Sequence, residues 1–278
     1  MGCADVIPGV SGGTMALIMG IYEELIHSVT QFSRPALYQK VFKGQFKAAA
    51  EQMGLGFLLA LAVGVMAAVL GLAQILEHLL ETQPQFVYSF FFGLILASIW
   101  VVAKFVKVWD ASKVASFALG AAGAFMLVGL TPAVTPEAPW FIFLSGALAI
   151  CALVLPGISG SFILLLLGKY AFVLGAVNDR NLVVIAVFMA GALVGLLSFA
   201  RVLNYLLEHY YGTLMALLCG FLLGSLRKIW PWQLSLADEL TRNVPPPAGA
   251  EPLYALLLAA LGIVIVLALS RQGEKVSG

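Results

Sequence analysis

The sequence predicts an all-α polytopic membrane protein made of two inverted-topology repeats, each a re-entrant or discontinuous helix hairpin plus three transmembrane helices. Three observations predict it. The 278 residues are 62% hydrophobic and 10% charged, whereas soluble domains run to about half and about a quarter. Six apolar runs approach the ~20 residues that a spanning helix needs. Two proline-led turns, "PGVSGGT" (8–14) and "PGISGS" (156–161), break apolar sequence where a continuous helix would be expected.

The elements follow in chain order. The first hairpin covers 3–26. A polar, basic stretch comes next and reads as a surface helix over about 31–52, with Val41, Phe42 and Phe46 at helical spacing. Spans are expected at 55–76, 86–103 and 114–130. The second hairpin covers 141–170, and spans follow at 182–203, 213–226 and 253–270. The first repeat is thus 1–139 and the second 140–278, within one integral membrane domain. The breaks inside the hairpins are informative because an unpaired backbone amide in hydrocarbon costs several kcal/mol. Such backbone survives only where protein or a water-filled cavity surrounds it.

The repeat is visible in the spacing. Pro8 and Pro156 stand 148 residues apart, as do Cys3 and Cys151, so "CADVIPGVSGG" lies on "CALVLPGISGS". "ILEH" (75–78) lies on "LLEH" (206–209) at an offset of 131, shared by Gly64 and Gly195, and "GLILASI" from Gly93 lies on "GFLLGSL" from Gly220 at 127. The first half therefore carries 17 extra residues after its hairpin, which fall in the basic stretch. Such repeats point to a transporter-like architecture. Each half has one hairpin and an odd number of spans, so the second half should insert upside down. Loop charge agrees: Arg34, Lys40, Lys43 and Lys47, and later three lysines between 104 and 113, mark cytoplasmic loops, whereas "EHLLETQPQ" and "TPAVTPEAPW" lie outside. The tail "SRQGEKVSG" then falls on the cytoplasmic side. Arg227 and Lys228 fit poorly, as they land outside.

The turns suggest an anion site. A helix that begins at depth aims free N–H groups and the positive end of its dipole into the interior. Glycine lets a ligand approach the backbone, and hydroxyls add donors. The phosphate-binding candidates are Ser11, Gly12, Gly13 and Thr14 of the first turn and Ser159, Gly160 and Ser161 of the second. Arg201 joins them as an intramembrane guanidinium suited to gripping phosphate bidentately; snorkelling to a nearby interface is the competing reading. Asp5 and Glu23 are candidates for proton coupling or an ion pair. Tyr22, Glu23 and Glu24 after the first hairpin helix, and Lys169 and Tyr170 after the second, sit either at the mouth of the site or at the interface. Cys3, Cys151 and Cys219 have no ligand or disulfide spacing and read as packing residues. His27, His78 and His209 lack metal spacing, so neither a metal nor another cofactor is expected, and no basic stripe argues for nucleic acid. Trp140, Trp230 and Trp232 read as an aromatic belt.

With those residues in view, "ADVIPGVSGGTMALIMGIYEELI" (4–26) and "LPGISGSFILLLLGKY" (155–170) closely resemble the two signature segments of the bacterial PopT family of undecaprenyl phosphate translocases. The resemblance runs through the whole chain in segment order. It implies a flippase of the bacterial inner membrane that returns undecaprenyl phosphate from the outer to the cytoplasmic leaflet for reuse in cell-envelope synthesis, with no enzymatic step. The partners it implies are that lipid and the surrounding membrane lipids; a homo-oligomer is left open. Members usually begin with a longer helix ahead of the Asp5 motif, so a counterpart of 141–148 is expected before residue 1. Two alternatives stand beside this reading. A small-anion transporter would use the same backbone site. A membrane undecaprenyl pyrophosphate phosphatase has a similar "PG-x-S-R-S" turn, but Gly160 stands where its arginine would be and no histidine accompanies either turn.

Overall fold

The computed structural model describes residues 1, 2, 11–235 and 241–276, and is 76% helical. The first hairpin region holds α1 (Gly12–Ile18) and α2 (Tyr22–Gln31), and is followed by α3 (Pro35–Phe42) and α4 (Phe46–Gln52). Three longer helices follow: α5 (Leu55–Thr82), α6 (Pro84–Ala103) and α7 (Ala111–Leu127). The second hairpin is α8 (Pro139–Val154) and α9 (Gly160–Leu166), and α10 (Tyr170–Asn178) turns away from α9 by 107°. The chain ends with α11 (Leu182–His209), α12 (Tyr211–Ser225), a short antiparallel pair β1 (Gln233–Ser235) and β2 (Thr241–Asn243), and α13 (Glu251–Val276).

Local chemistry sets many of these boundaries. Pro35, Pro84 and Pro139 each open a helix at a position where the missing N–H costs nothing. Asp110 caps α7 by accepting from Lys113 N at 3.0 Å, and the Lys113 side chain and backbone bonds hold its carboxyl below the usual carboxylate range. Gly44, at φ +72°, divides the expected single surface helix into α3 and α4. Together these two helices expose Phe42 (88%) and Phe46 (67%) beside Lys40, Lys43 and Lys47. The connector before α13 folds into the small β pair, and Trp230 Nε1 donates to Val244 O at 2.8 Å to close it.

Among the described residues, four helices are long and apolar enough to cross a membrane, over 55–72, 84–103, 182–209 and 251–271, and counting the bent α9–α10 pair as one span brings the number to five. α7, α8 and α12 are shorter apolar helices of 17, 16 and 15 residues. The expected spans at 114–130 and 213–226 thus appear as helices of 17 and 15 residues, shorter than the other four expected spans.

Glycine seams assemble the bundle. A Cβ at Gly220 would strike Phe117 O, one at Gly224 would strike Ala121 O, and one at Gly120 would strike Leu217 O, so α7 and α12 lie backbone to backbone. They run parallel, since Lys113 meets Gly212 at one end and Arg227 meets Phe125 at the other. α6 and α13 are also parallel: Phe86 stacks edge-on against Tyr254, and Gly93 and Gly262 press on Ala259 and Phe90. α8 and α11 form the third such pair through Gly146, Gly191 and Gly195. Lipid tails are as apolar as leucine, so close van der Waals contact through small residues is what drives these helices together. α6 and α12 cross antiparallel at the centre, where the Cys219 thiol faces Ile99 O at 3.4 Å and Phe92 meets Trp230. Their buried side chains join Ala16, Leu17, Tyr22 and Ile26 of the first hairpin in one core. α5 stands apart, with the glycines at 56, 64 and 71 facing open space and Gly2 resting on Val65 and Ala68.

The seams predict a contrast. Gly220→Val should destabilise the purified protein by about 1–3 kcal/mol through overpacking, seen as a lower melting temperature in detergent. Gly71→Ala should leave it unchanged or raise it by up to about 1 kcal/mol, because alanine is the better helix former.

Candidate functional site

The two broken turns meet. Ser11 caps α1, its hydroxyl accepting from Gly13 N at 3.1 Å, and reaches across 142 residues to Leu153 O at 3.2 Å and Leu155 O at 3.0 Å. In return, Gly157 N donates to Thr14 Oγ1 at 3.0 Å. Both hydroxyl residues are fully buried. The hydroxyls of the first turn therefore satisfy backbone that the second leaves open at its break. The approach is tight: a Cβ on Gly13 would stand 2.6 Å from Val154 O, and one on Gly160 would stand 2.6 Å from Ala149 O. Gly157 adopts φ +85°, a region that favours glycine, and packs on Ser225 at the end of α12.

The two turns differ in what their hydroxyls do. Ser11 and Thr14 are committed to holding the second turn, so they are less available to a ligand than the sequence suggested. Ser159 precedes α9 without capping it, and its hydroxyl pairs with that of Ser161 at 2.7 Å. Ser159 is buried and Ser161 exposed, so this pair reaches from the crossing to the surface. Hydroxyls have one donor and two acceptor lone pairs each, and the pair retains capacity for a further oxygen ligand. α1 and α9 are seven residues each, which leaves hydroxyls and individual N–H groups, more than an extended dipole, as the chemistry on offer.

The other predicted residues lie around this crossing. Arg201 is exposed on α11 and donates from Nη2 to Ser33 O at 2.7 Å, just beyond the end of α2. It thus ties α11 to the first hairpin, and its recorded bond is to Ser33 rather than to either turn. Thr30 reinforces the junction by donating to Ala200 O at 3.2 Å. Glu23 is exposed and faces the Tyr211 hydroxyl at the start of α12. Asp5 lies outside the described residues, as do Cys3 and the first turn before Ser11. Tyr22, which follows the first hairpin helix, is a fully buried side chain whose hydroxyl has no hydrogen-bond partner among the described residues. His27 bonds to Gln31 at 2.9 Å, and Gln52 joins the same cluster at 3.2 Å. Among the described residues no group of three or more His, Cys, Asp or Glu is placed to hold a metal ion.

Sequence reasoning passed over one feature. Ser225, which packs on Gly157, could have been found through the repeat, since Ser98 is its counterpart at the 127 offset and both are buried. Lys169, which the sequence put either at the mouth of the site or at the interface, is 2% exposed. Beside the bundle, α5, α6 and α13 frame an apolar groove of about 460 Å³ lined by Leu72, Leu76, Leu79, Phe86, Phe90 and Leu258.

Comparison with known proteins adds an independent line. Residues 1–244 match the family model described as "VCA0040-like: Undecaprenyl phosphate translocase-like". A polyprenyl-phosphate transporter of Vibrio cholerae is 40% identical over 293 aligned positions, covering 99% of this chain and 94% of that protein. A polyprenyl-phosphate transporter of Staphylococcus aureus is 29% identical, covering 83% of each. No solved structure matches.

The crossed turns generate a prediction about stability. Thr14→Val keeps the shape but leaves Gly157 N–H buried without a partner, which costs about 1–3 kcal/mol. Thr14→Ser keeps the acceptor and should retain most of the stability. Equal melting temperatures for the two variants would remove this bond from the forces holding the hairpins together.

Proposed function

The chain belongs to the undecaprenyl phosphate translocase-like family, and from that premise we propose that it moves a polyprenyl phosphate across the membrane by alternating access around the crossed turns. It is a multi-pass membrane transporter and not an enzyme, as its relatives are named transporters. In this reading the substrate is undecaprenyl phosphate, carried from the outer leaflet to the cytoplasmic leaflet of a bacterial inner membrane so that the carrier can be reused. The observation that carries it is the hydrogen-bonded meeting of two helix breaks, which gathers polar backbone and hydroxyls inside an otherwise apolar bundle.

The chemistry suits a phosphate headgroup. Moving a phosphate through hydrocarbon fails for want of ligands to replace its water. Ser159 and Ser161 supply such ligands at the crossing. Arg201 supplies a guanidinium on the first-hairpin side, where it would receive the phosphate after passage; its remaining donors match phosphate oxygens. The polyprenyl tail stays in lipid, and the apolar groove beside α5 is one surface along which it can lie. Protonation of Asp5 or Glu23 is the coupling step this reading assigns.

An inverted repeat is supported by how the helices exchange partners. α6 pairs in parallel with α13, and its repeat counterpart α12 pairs in parallel with α7, while α6 and α12 oppose each other. Together with the loop charges, this supports a reading with the second hairpin and the β pair outside and the end of α13 in the cytoplasm. Rocking of one hairpin-bearing half against the other would then expose the crossing to each side in turn.

The test is a leaflet-resolved assay in liposomes, following undecaprenyl phosphate accessibility and release of inorganic phosphate together. Movement of intact lipid without phosphate release is expected; phosphate release, or no movement of the lipid, would overturn the reading. The double variant Ser159→Ala and Ser161→Ala should slow transport roughly ten- to a hundredfold, the equivalent of about 1.5–3 kcal/mol for hydrogen bonds to a charged group. Arg201→Ala should lose transport while still inserting, and full activity in that variant would remove Arg201 from the path.

A further inference from the structure

Lys169 sits at the break between α9 and α10, and 98% of it is covered by protein, with 2% relative exposure. Its ammonium donates to Thr135 O at 2.9 Å and lies 5.7 Å from the Phe141 ring centroid and 5.5 Å from that of Phe172. Among the described residues the sole ion pair is Asp110 with Lys113, so no carboxylate neutralises Lys169. Glu137, two residues along the loop from Thr135, is exposed and makes no such pair. Uncompensated buried charge is costly, and two ring faces and one carbonyl offset only part of that cost. Such an arrangement attracts an anion.

The position agrees with that purpose. The loop before α8 folds onto the end of α9, with Ala133 N donating to Leu166 O at 2.8 Å and Thr135 Oγ1 bonding to Leu167 O, so Lys169 lies at the mouth of the second hairpin. Phe162 lies earlier on α9, and its ring faces the Lys228 ammonium at 5.0 Å. Phe162 adjoins Ser161 of the second turn. Lys169 thus stands beyond one end of the re-entrant helix, with Phe162 towards the other, beside the hydroxyl pair. Of the basic residues that loop charge places on the wrong side, Arg227 donates to Phe125 O at 3.1 Å and stacks on its ring at 4.4 Å, and Lys228 lies over the Phe162 ring at 5.0 Å.

We propose that Lys169 is an anion-binding station at the outer mouth that captures a phosphate group before it reaches Ser159 and Ser161. The ligand class is a phosphate monoester headgroup or free inorganic phosphate, and the station rests on the transport reading above for its direction. The Thr135 carbonyl and the two rings hold the ammonium in place, so an arriving phosphate meets a positioned charge.

The test separates charge from hydrogen bonding. Lys169→Gln keeps a donor for Thr135 O without the charge, and Lys169→Arg keeps the charge. In the liposome assay Lys169→Gln should raise the half-saturating undecaprenyl phosphate concentration about tenfold or more, with the maximal rate within about twofold, while Lys169→Arg stays within about threefold of the native protein. Calorimetric titration of the detergent-solubilised protein with undecaprenyl phosphate and, separately, with inorganic phosphate identifies the source of the anion. A loss confined to inorganic phosphate, in a protein that does not move the lipid, keeps the station and overturns the lipid reading. Native half-saturation and native binding of both probes by Lys169→Gln would overturn the station while leaving lipid transport standing. If that variant does not fold, the native protein can be cross-linked to a polyprenyl phosphate bearing a photoactivatable group beside the phosphate. Labelling within 159–172 supports the station, and labelling only elsewhere overturns it.

Discussion

Backbone buried away from water must find hydrogen-bond partners, and everything else in this molecule is arranged around two places where its helices fail to provide them. At each break, N–H and C=O groups are left without intrahelical partners in surroundings where each orphan costs several kcal/mol. The chain resolves the second break through the first turn. Thr14 accepts from Gly157 N, and Ser11 reaches the carbonyls of Leu153 and Leu155. The second turn's backbone is satisfied by hydroxyls of the first, so segments more than 140 residues apart are structurally linked.

Bringing the two breaks together requires a frame that places them precisely, and glycine seams supply it. The three parallel pairs let backbones touch at Gly93, Gly120, Gly146, Gly191 and Gly220, where larger residues would hold the helices apart. The crossing of α6 and α12 is the most deeply buried part, and the hairpin residues Ala16, Leu17 and Tyr22 pack directly on it. α5 contributes little to this frame and presents Leu59, Val63, Met66 and Leu70 outward. A packed centre with a loosely attached flank is a natural division between what stays fixed and what moves.

The polar groups around the crossing are unequal in a way that matches a directional path. One turn uses its hydroxyls to hold the structure together, and the other keeps a hydroxyl pair that opens to the surface. The charges are unequal too. Lys169 and Lys228 lie along the second hairpin, while Arg201 is bound near the end of α2 at the first. An anion crossing the bundle would meet cations on either side of the hydroxyl pair, none of them a mirror image of another.

Much of this was legible in the residues. Composition dictated the solvent, the spacing of apolar runs located the long helices to within a few residues, and "PGVSGGT" and "PGISGS" marked the breaks because proline and glycine act on backbone locally. Less legible were the split at Gly44, the short β pair, and the shortness of α7 and α12, all of which depend on turn geometry and packing more than on hydropathy. What the sequence by itself determined was therefore membrane embedding, the positions of the two breaks and the resemblance those turns carry. Only the tertiary structure decided that Ser11 and Thr14 hold the second turn, that Arg201 binds Ser33, and that Lys169 is buried between two rings. The reason is physical: hydropathy and helix breaking are properties of neighbours along the chain, whereas a hydrogen-bond or cation–π partner is chosen by what folding brings within a few ångströms.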